Sequence, residues 1–144
     1  MPPSNNQNPA RGREFEALAS TLLTTFFGVQ FQNGYAIEIG DPPKKHRFDL
    51  VSTDLNIIGE CKNYSWTETG NIPSAKMAFL NEAVFYLQHL KNTQNRFLVL
   101  RKDIHERHVE TLAEYYYRIN RHLLNGVFII EIDIANNSVK TIGV

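Results

Sequence analysis

An α/β sandwich, one mixed sheet flanked by helices, is the fold this sequence predicts. Three observations carry that expectation: apolar residues at helical spacing over three segments, β-type runs between them, and turn residues separating each run from the next. The order reads α-β-β-β-α-β-α-β-β.

Met1 to Pro9 has almost no apolar content and reads as a flexible leader, leaving residues 10–144 as one domain. From Arg11 to Phe27, the residues Phe15, Leu18, Ala19, Leu22, Leu23 and Phe26 recur at helical spacing, with Gly28 as the C-terminal cap. Tyr35 to Ile39 alternates as a strand, preceded by a short one at Val29 to Phe31. Asp41-Pro42-Pro43 breaks the chain, and Lys44-Lys45-His46-Arg47 leads into a strand from Phe48 to Ser52. Thr53-Asp54-Leu55-Asn56 supplies the turn of a hairpin whose return strand is Ile57 to Lys62. A polar loop, Asn63 to Asn71, contains Tyr64 and Trp66. Ser74 to Lys91 forms a second helix, with Met77, Leu80, Val84 and Leu87 inward and Phe85 a further candidate. Arg96 to Leu100 is a short β run. Ile104 to Leu123 reads as a third helix on the stripe Val109, Leu112, Tyr116, Ile119 and Leu123, capped by Gly126. Val127 to Ile134 is a buried strand, and Asn136-Asn137 turns the chain into a last strand, Val139 to Ile142.

At 144 residues and 42% hydrophobic content the chain has material for one real core. The 15 basic and 15 acidic residues balance, unlike a non-specific nucleic-acid coat protein, so any nucleic-acid binding falls to local clusters or a partner. The single cysteine, Cys61, excludes an intramolecular disulfide and a multi-cysteine zinc site. No apolar stretch approaches a membrane span and no secretory leader opens the chain, so a soluble, cytoplasmic protein is expected.

The chemistry-bearing residues gather around the hairpin. With Asp54-Leu55 at its centre, Asp49 lies across from Glu60, their Cβ atoms roughly 5 Å apart. Lys62 shares Glu60's face because strand side chains repeat every two residues. A carboxylate two residues before a lysine is expected roughly 0.7 times by chance here, so context carries the signal. The bland reading is a solvated strand face, but Ile57, Ile58 and Cys61 make the strand apolar, as a central strand is. Two carboxylates and a lysine at a strand end can hold a divalent cation beside a phosphate.

These residues resemble the PD-(D/E)xK superfamily, the restriction-endonuclease-like fold of restriction enzymes, Holliday-junction resolvases and repair nucleases. The α-β-β-β-α-β core of that family matches Arg11 to Leu100 in order, and Gly12-Arg13-Glu14-Phe15-Glu16-Ala17-Leu18 is similar to the first helix of its methylation-dependent restriction and resolvase branches. The resemblance implies roles for Glu16, Asp49, Glu60 and Lys62. Phe48 stands where the family has proline. Periodicity alone does not choose between Glu14 and Glu16; the resemblance favours Glu16. Both also suit the first turn of a helix.

The implied activity is hydrolysis of DNA phosphodiesters in restriction, recombination or repair, with Mg²⁺ or Mn²⁺ held by Asp49, Glu60, the Cys61 backbone carbonyl and Glu16. A homodimer, or a larger complex supplying specificity, is implied as well. A catalytically silent nucleic-acid-binding or assembly module is the second reading, and a structural or regulatory protein the third. Lys44, Lys45, His46 and Arg47 suit backbone phosphates or a solvated loop equally. Tyr64 and Trp66 can stack on bases, though such aromatics more often pack over a loop. Asn81 and Gln88 are either site supports or surface amides. His105 and His108 lack a third ligand nearby and read as a solvated helix start.

Overall fold

The computed structural model describes residues 9–144; the expected leader falls on residues 1–8, outside the described residues, and Pro9 already belongs to the first helix. The elements are α1 (Pro9–Phe27), β1 (Phe31–Ile39), β2 (Lys44–Ser52), β3 (Ile57–Lys62), α2 (Ser74–Gln88), β4 (Asn95–Arg101), α3 (Leu112–Asn120), a 3-10 turn (Arg121–Leu123), β5 (Val127–Asp133) and β6 (Ser138–Thr141). Among the described residues the fold is mixed α/β, an open six-stranded sheet in the order β1-β2-β3-β4-β5-β6 with three α-helices. β1, β2 and β3 pair antiparallel, β3, β4 and β5 parallel, and β6 returns antiparallel.

Each parallel step needs a crossover, and α2 and α3 supply the two. Successive crossovers that advance the same way with the usual hand leave both helices on one face. Accordingly Leu80, Val84 and Leu87 of α2 and Ala113 and Tyr116 of α3 share a core with Ile58, Leu98, Leu100 and Ile129. α1 covers the other face, where the row Phe15, Ala19 and Leu23 packs on Leu50, Ile57, Phe97 and Val99. β4 is therefore buried on both sides, and its run Phe97-Leu98-Val99-Leu100 is the continuous apolar stretch such a strand requires.

Gly59 lies under the Phe97 ring, which occupies the place a Cβ would take. Gly59→Ala is expected to cost about 1–3 kcal/mol by overpacking, read as a lower denaturant midpoint at unchanged slope.

Several expectations need correction. The basic run Lys44–Arg47 is not a lead-in loop: it is the first half of β2, paired residue by residue with β1 from Ile39↔Lys44 to Ala36↔Arg47. β1 is one continuous strand rather than two. On α1, Phe26 is exposed and its neighbour Phe27 packs on Phe31 and Phe97 instead. On α2, Phe85 points outward at 59% exposure, and Ala83 takes an inward place.

The third helix begins at Leu112, not Ile104, so Val109 is fully exposed, and Ile119 and Leu123 are exposed too. Thr111 is the reason. Its Oγ1 accepts from Glu114 N (3.2 Å) while Glu114 Oε1 accepts from Thr111 N (2.8 Å), a capping box that fixes the helix start. The same hydroxyl donates to Glu131 (2.5 Å), a carboxylate buried in β5. Thr111→Ala removes the cap and strands a buried acceptor, an expected loss on the order of 2 kcal/mol that Thr111→Ser restores in thermal melts.

Among the described residues, no helix is long and apolar enough to cross a membrane.

Candidate active site

The turn sets the register on which the site depends. Ser52 Oγ donates to Asp54 Oδ1 (2.7 Å), which also accepts from Asn56 N (3.0 Å), and Leu55 adopts φ 63°. The resulting pairs, Leu50↔Gly59 and Val51↔Ile58, are those of a turn centred on Asp54-Leu55. One step further, the ladder stops. There the Asp49 carboxylate accepts from Cys61 N (2.8 Å), where a backbone pair would otherwise form. Phe48 packs with the α2-side core and Leu50 with the α1-side core, so β2 turns over at Asp49. The sheet opens at this point, at the carboxyl end of β3, the strand that pairs antiparallel with β2 on one edge and parallel with β4 on the other. Open α/β sheets offer ligand sites at such ends.

Glu60 is strongly perturbed. It is 5% exposed, within hydrogen-bonding reach of Asp49, and its Oε1 meets His46 Nε2 at 3.3 Å. Burial first, then the Asp49 charge, push its carboxyl far above the usual carboxylate range, and Lys62 only partly offsets them. Lys62 stands on Glu60's side of β3, and none of the ion pairs found among the described residues includes it. Glu16 approaches from the α1 side; desolvation and then Asp49 raise its carboxyl, while Arg47 lowers it. Glu14, its rival, is exposed. Cys61 lies opposite Val99 in the parallel ladder, its N–H committed to Asp49 and its thiol pushed well up by burial.

Asp49 and Glu16 thus both bear on Glu60 by their charge, with Lys62 opposing them, around the open end of β3, Glu60 on the α2 side and Glu16 on the α1 side. Two hard carboxylates held together against burial form a donor set that suits Mg²⁺ or Mn²⁺. Among the described residues, however, no group of three or more His, Cys, Asp and Glu side chains converges closely enough to hold a metal ion.

Other residues fall into or out of this region. Tyr64 belongs to it: half-buried, with Lys76 Nζ 5.1 Å from its ring centre, its hydroxyl pushed up by burial and also influenced by Lys62, Asp49 and Glu82. Trp66 does not. It is 4% exposed, stacked on His108 at 3.7 Å with Tyr115 at its edge, so its ring is spent on loop packing rather than offered to a base. His105 and His108 are neither metal ligands nor a solvated helix start: their Nε2 atoms meet the carbonyls of Glu68 (2.8 Å) and Gly70 (2.6 Å) and dock the two loops. Asn81 accepts from Tyr116 Oη (2.8 Å) and Gln88 donates to the Leu123 carbonyl (2.6 Å), so both brace the scaffold. Lys44, Lys45 and Arg47 are exposed on β2, with the Arg47 guanidinium lying over Gly34.

One residue that the sequence placed only in a basic run completes the site. His46 stacks flat on Tyr86 (3.9 Å, 9°), meets Phe48 edge-on and touches Glu60. Burial lowers its ring pKa, with Asp49 and Glu82 opposing, and its Nε2 shares a hydrogen bond with Glu60 Oε1. Glu82 of α2 is exposed and bears on this region only through its charge on His46 and Tyr64. The signal for His46 was present: Tyr35–Ile39 and Lys44–Phe48 flank the Gly40–Pro43 turn with equal arms, placing His46 two residues from Phe48 on one strand face.

Comparison with protein-family models, with curated proteins and with solved structures gives no match to this chain.

Proposed function

We propose that this protein is a metal-dependent endonuclease acting on DNA, with Asp49, Glu60, Lys62 and Glu16 as its working residues and a restriction-endonuclease-like core running from α1 to β4. The observation that carries the reading is the pairing of Asp49 with a buried Glu60 at the open end of β3, with Lys62 on the same strand. A carboxylate forced out of its ionised range by burial and a like neighbour is a group whose charged form a cation would restore. Asp49 and Glu60 are the residues to hold Mg²⁺ or Mn²⁺, which when bound supplies charge neutralisation at a phosphate and a more acidic water. Lys62 supplies a cation for the phosphate or a proton-transfer group for that water. His46 holds Glu60 in place through Nε2, and Glu16 adds a second acidic position on the α1 side.

A specific observation favours a second reading, a catalytically silent nucleic-acid-binding module. His46 and the Cys61 N–H each engage one carboxylate oxygen, leaving a smaller donor set. Supercoiled plasmid incubated with the protein in Mg²⁺, in Mn²⁺ and in EDTA separates the two. Metal-dependent nicking supports the nuclease, and retention of uncut DNA under all three conditions supports the module.

A further inference from the structure

We propose that the groove between the β1–β2 arm and the last turns of α2 takes one unpaired nucleotide, its base stacked on Phe85 and its phosphate held by Lys44, which shares the strand face of His46. The inference rests on the nucleic-acid reading above and names the kind of strand that reading leaves open. β2 pairs with β1 along its whole length, but its β3 pairs are only those of Leu50 and Val51, so Lys44–Phe48 forms an arm beyond β3. Across from the arm stand Phe85, Tyr86 and His89, and the groove between them has a volume of about 380 Å³. That is the size of a small-ligand pocket.

The chemistry of the walls selects the occupant. Phe85 is 59% exposed, yet Tyr86 and His89 meet it edge-on at 6.2 Å and 4.6 Å, holding the ring while leaving its surface to solvent. His89 Nδ1 donates to the Phe85 carbonyl (2.8 Å), which holds its ring beside Phe85. Lys44 and Lys45 are exposed, and the ion pairs found among the described residues include neither. Aromatic surface beside lysines recognises a base and a phosphate together. A paired base hides its faces within the duplex stack, so stacking selects one that is unpaired. His46 is the wall this groove shares with the carboxylates: it lines the groove, stacks on Tyr86 and reaches Glu60. The held nucleotide therefore lies next to the phosphate at the carboxylates.

Fluorescence anisotropy of labelled DNA with the full chain in EDTA tests this. Three probes are compared: a paired duplex, the same duplex with one unpaired nucleotide, and a single strand. The duplex with the unpaired nucleotide is expected to bind on the order of tenfold more tightly than the paired one. Phe85→Ala and Phe85→Leu both erase that preference, the second keeping apolar bulk without a flat ring. Lys44→Ala weakens all three probes alike and flattens the salt dependence. A wild type that binds paired and unpaired probes equally, or binds none, overturns the proposal; so does a preference that survives both Phe85 variants. Nicking in Mg²⁺ with binding indifferent to Phe85 removes the groove and leaves the nuclease. Phe85-dependent preference without nicking in any metal does the reverse.

Discussion

Asp49→Asn and Lys62→Ala are each expected to lower Mg²⁺-dependent plasmid nicking by roughly 10³-fold, the scale on which positioned charges act at a reacting phosphate. The variants differ in what they spare. Asparagine keeps an acceptor for the Cys61 N–H that Asp49 now engages at 2.8 Å, so the fold survives while a carboxylate is lost. The heat of Mn²⁺ binding in calorimetry should vanish in Asp49→Asn and persist in Lys62→Ala, because only the first removes a hard anionic donor. Glu16→Gln, acting from the α1 side, should cost about tenfold, less than either, since Glu16 reaches Glu60 only through its charge. Equal activity in wild type and both principal variants assigns the nicking to a contaminant and ends the nuclease reading.

The hairpin register was legible in the sequence because few residues determine it. Ser52, Asp54 and Asn56 close the turn by side-chain bonds, and a turn of that length leaves one register. The burial of β3 was equally legible, since an acid and a lysine on so apolar a strand mark an exception to its pattern. The choice of Glu16 over Glu14 was not, because both flank the same apolar stripe and tertiary packing decides which of them Asp49 meets.

Elsewhere the pattern pointed the wrong way for physical reasons. Val109 and Leu123 kept helical spacing with Leu112 and Tyr116, yet the loop before Thr111 is held by bonds no periodicity records: Asp103 accepts from Trp66 N, and His105 and His108 reach the carbonyls of the facing loop. The capping box Thr111-Leu112-Ala113-Glu114 was the local evidence that outweighs spacing. The inward place of His46 was not legible because charge runs read as solvent-facing, whereas a β-strand sends alternate members of the run to opposite faces.

Folding stability measured in EDTA should fall as pH rises from about 5.5 to 8, and Glu60→Gln should remove most of that fall. Below the ordinary carboxyl value of 4.5, folded and unfolded chains both keep the Glu60 proton and nothing is lost. Above it the unfolded chain releases the proton while the buried folded group retains it, so stability drops by up to about 1.4 kcal/mol per pH unit until the folded group also ionises. Over that interval the loss is on the order of 3 kcal/mol. Every charged neighbour has a stated sign. Asp49 and Glu16 hold the Glu60 proton on, Lys62 opposes them, and Glu16, itself raised, adds slope in the same direction. His46 is lowered and works the other way, its contribution present above pH 6.5 and fading as pH falls through its folded value, so the net decline is shallowest just below pH 6.5. Glutamine copies the protonated form, accepting from His46 and donating to Asp49, and should melt several degrees above wild type at pH 8. Mn²⁺ should then raise the wild-type melting temperature at pH 8 and leave Glu60→Gln nearly unmoved, since a ligand stabilises only the state that binds it. Parallel pH curves for the two proteins would mean that Glu60 ionises freely in the fold, and the strained carboxyl pair would lose its place as the centre of the site.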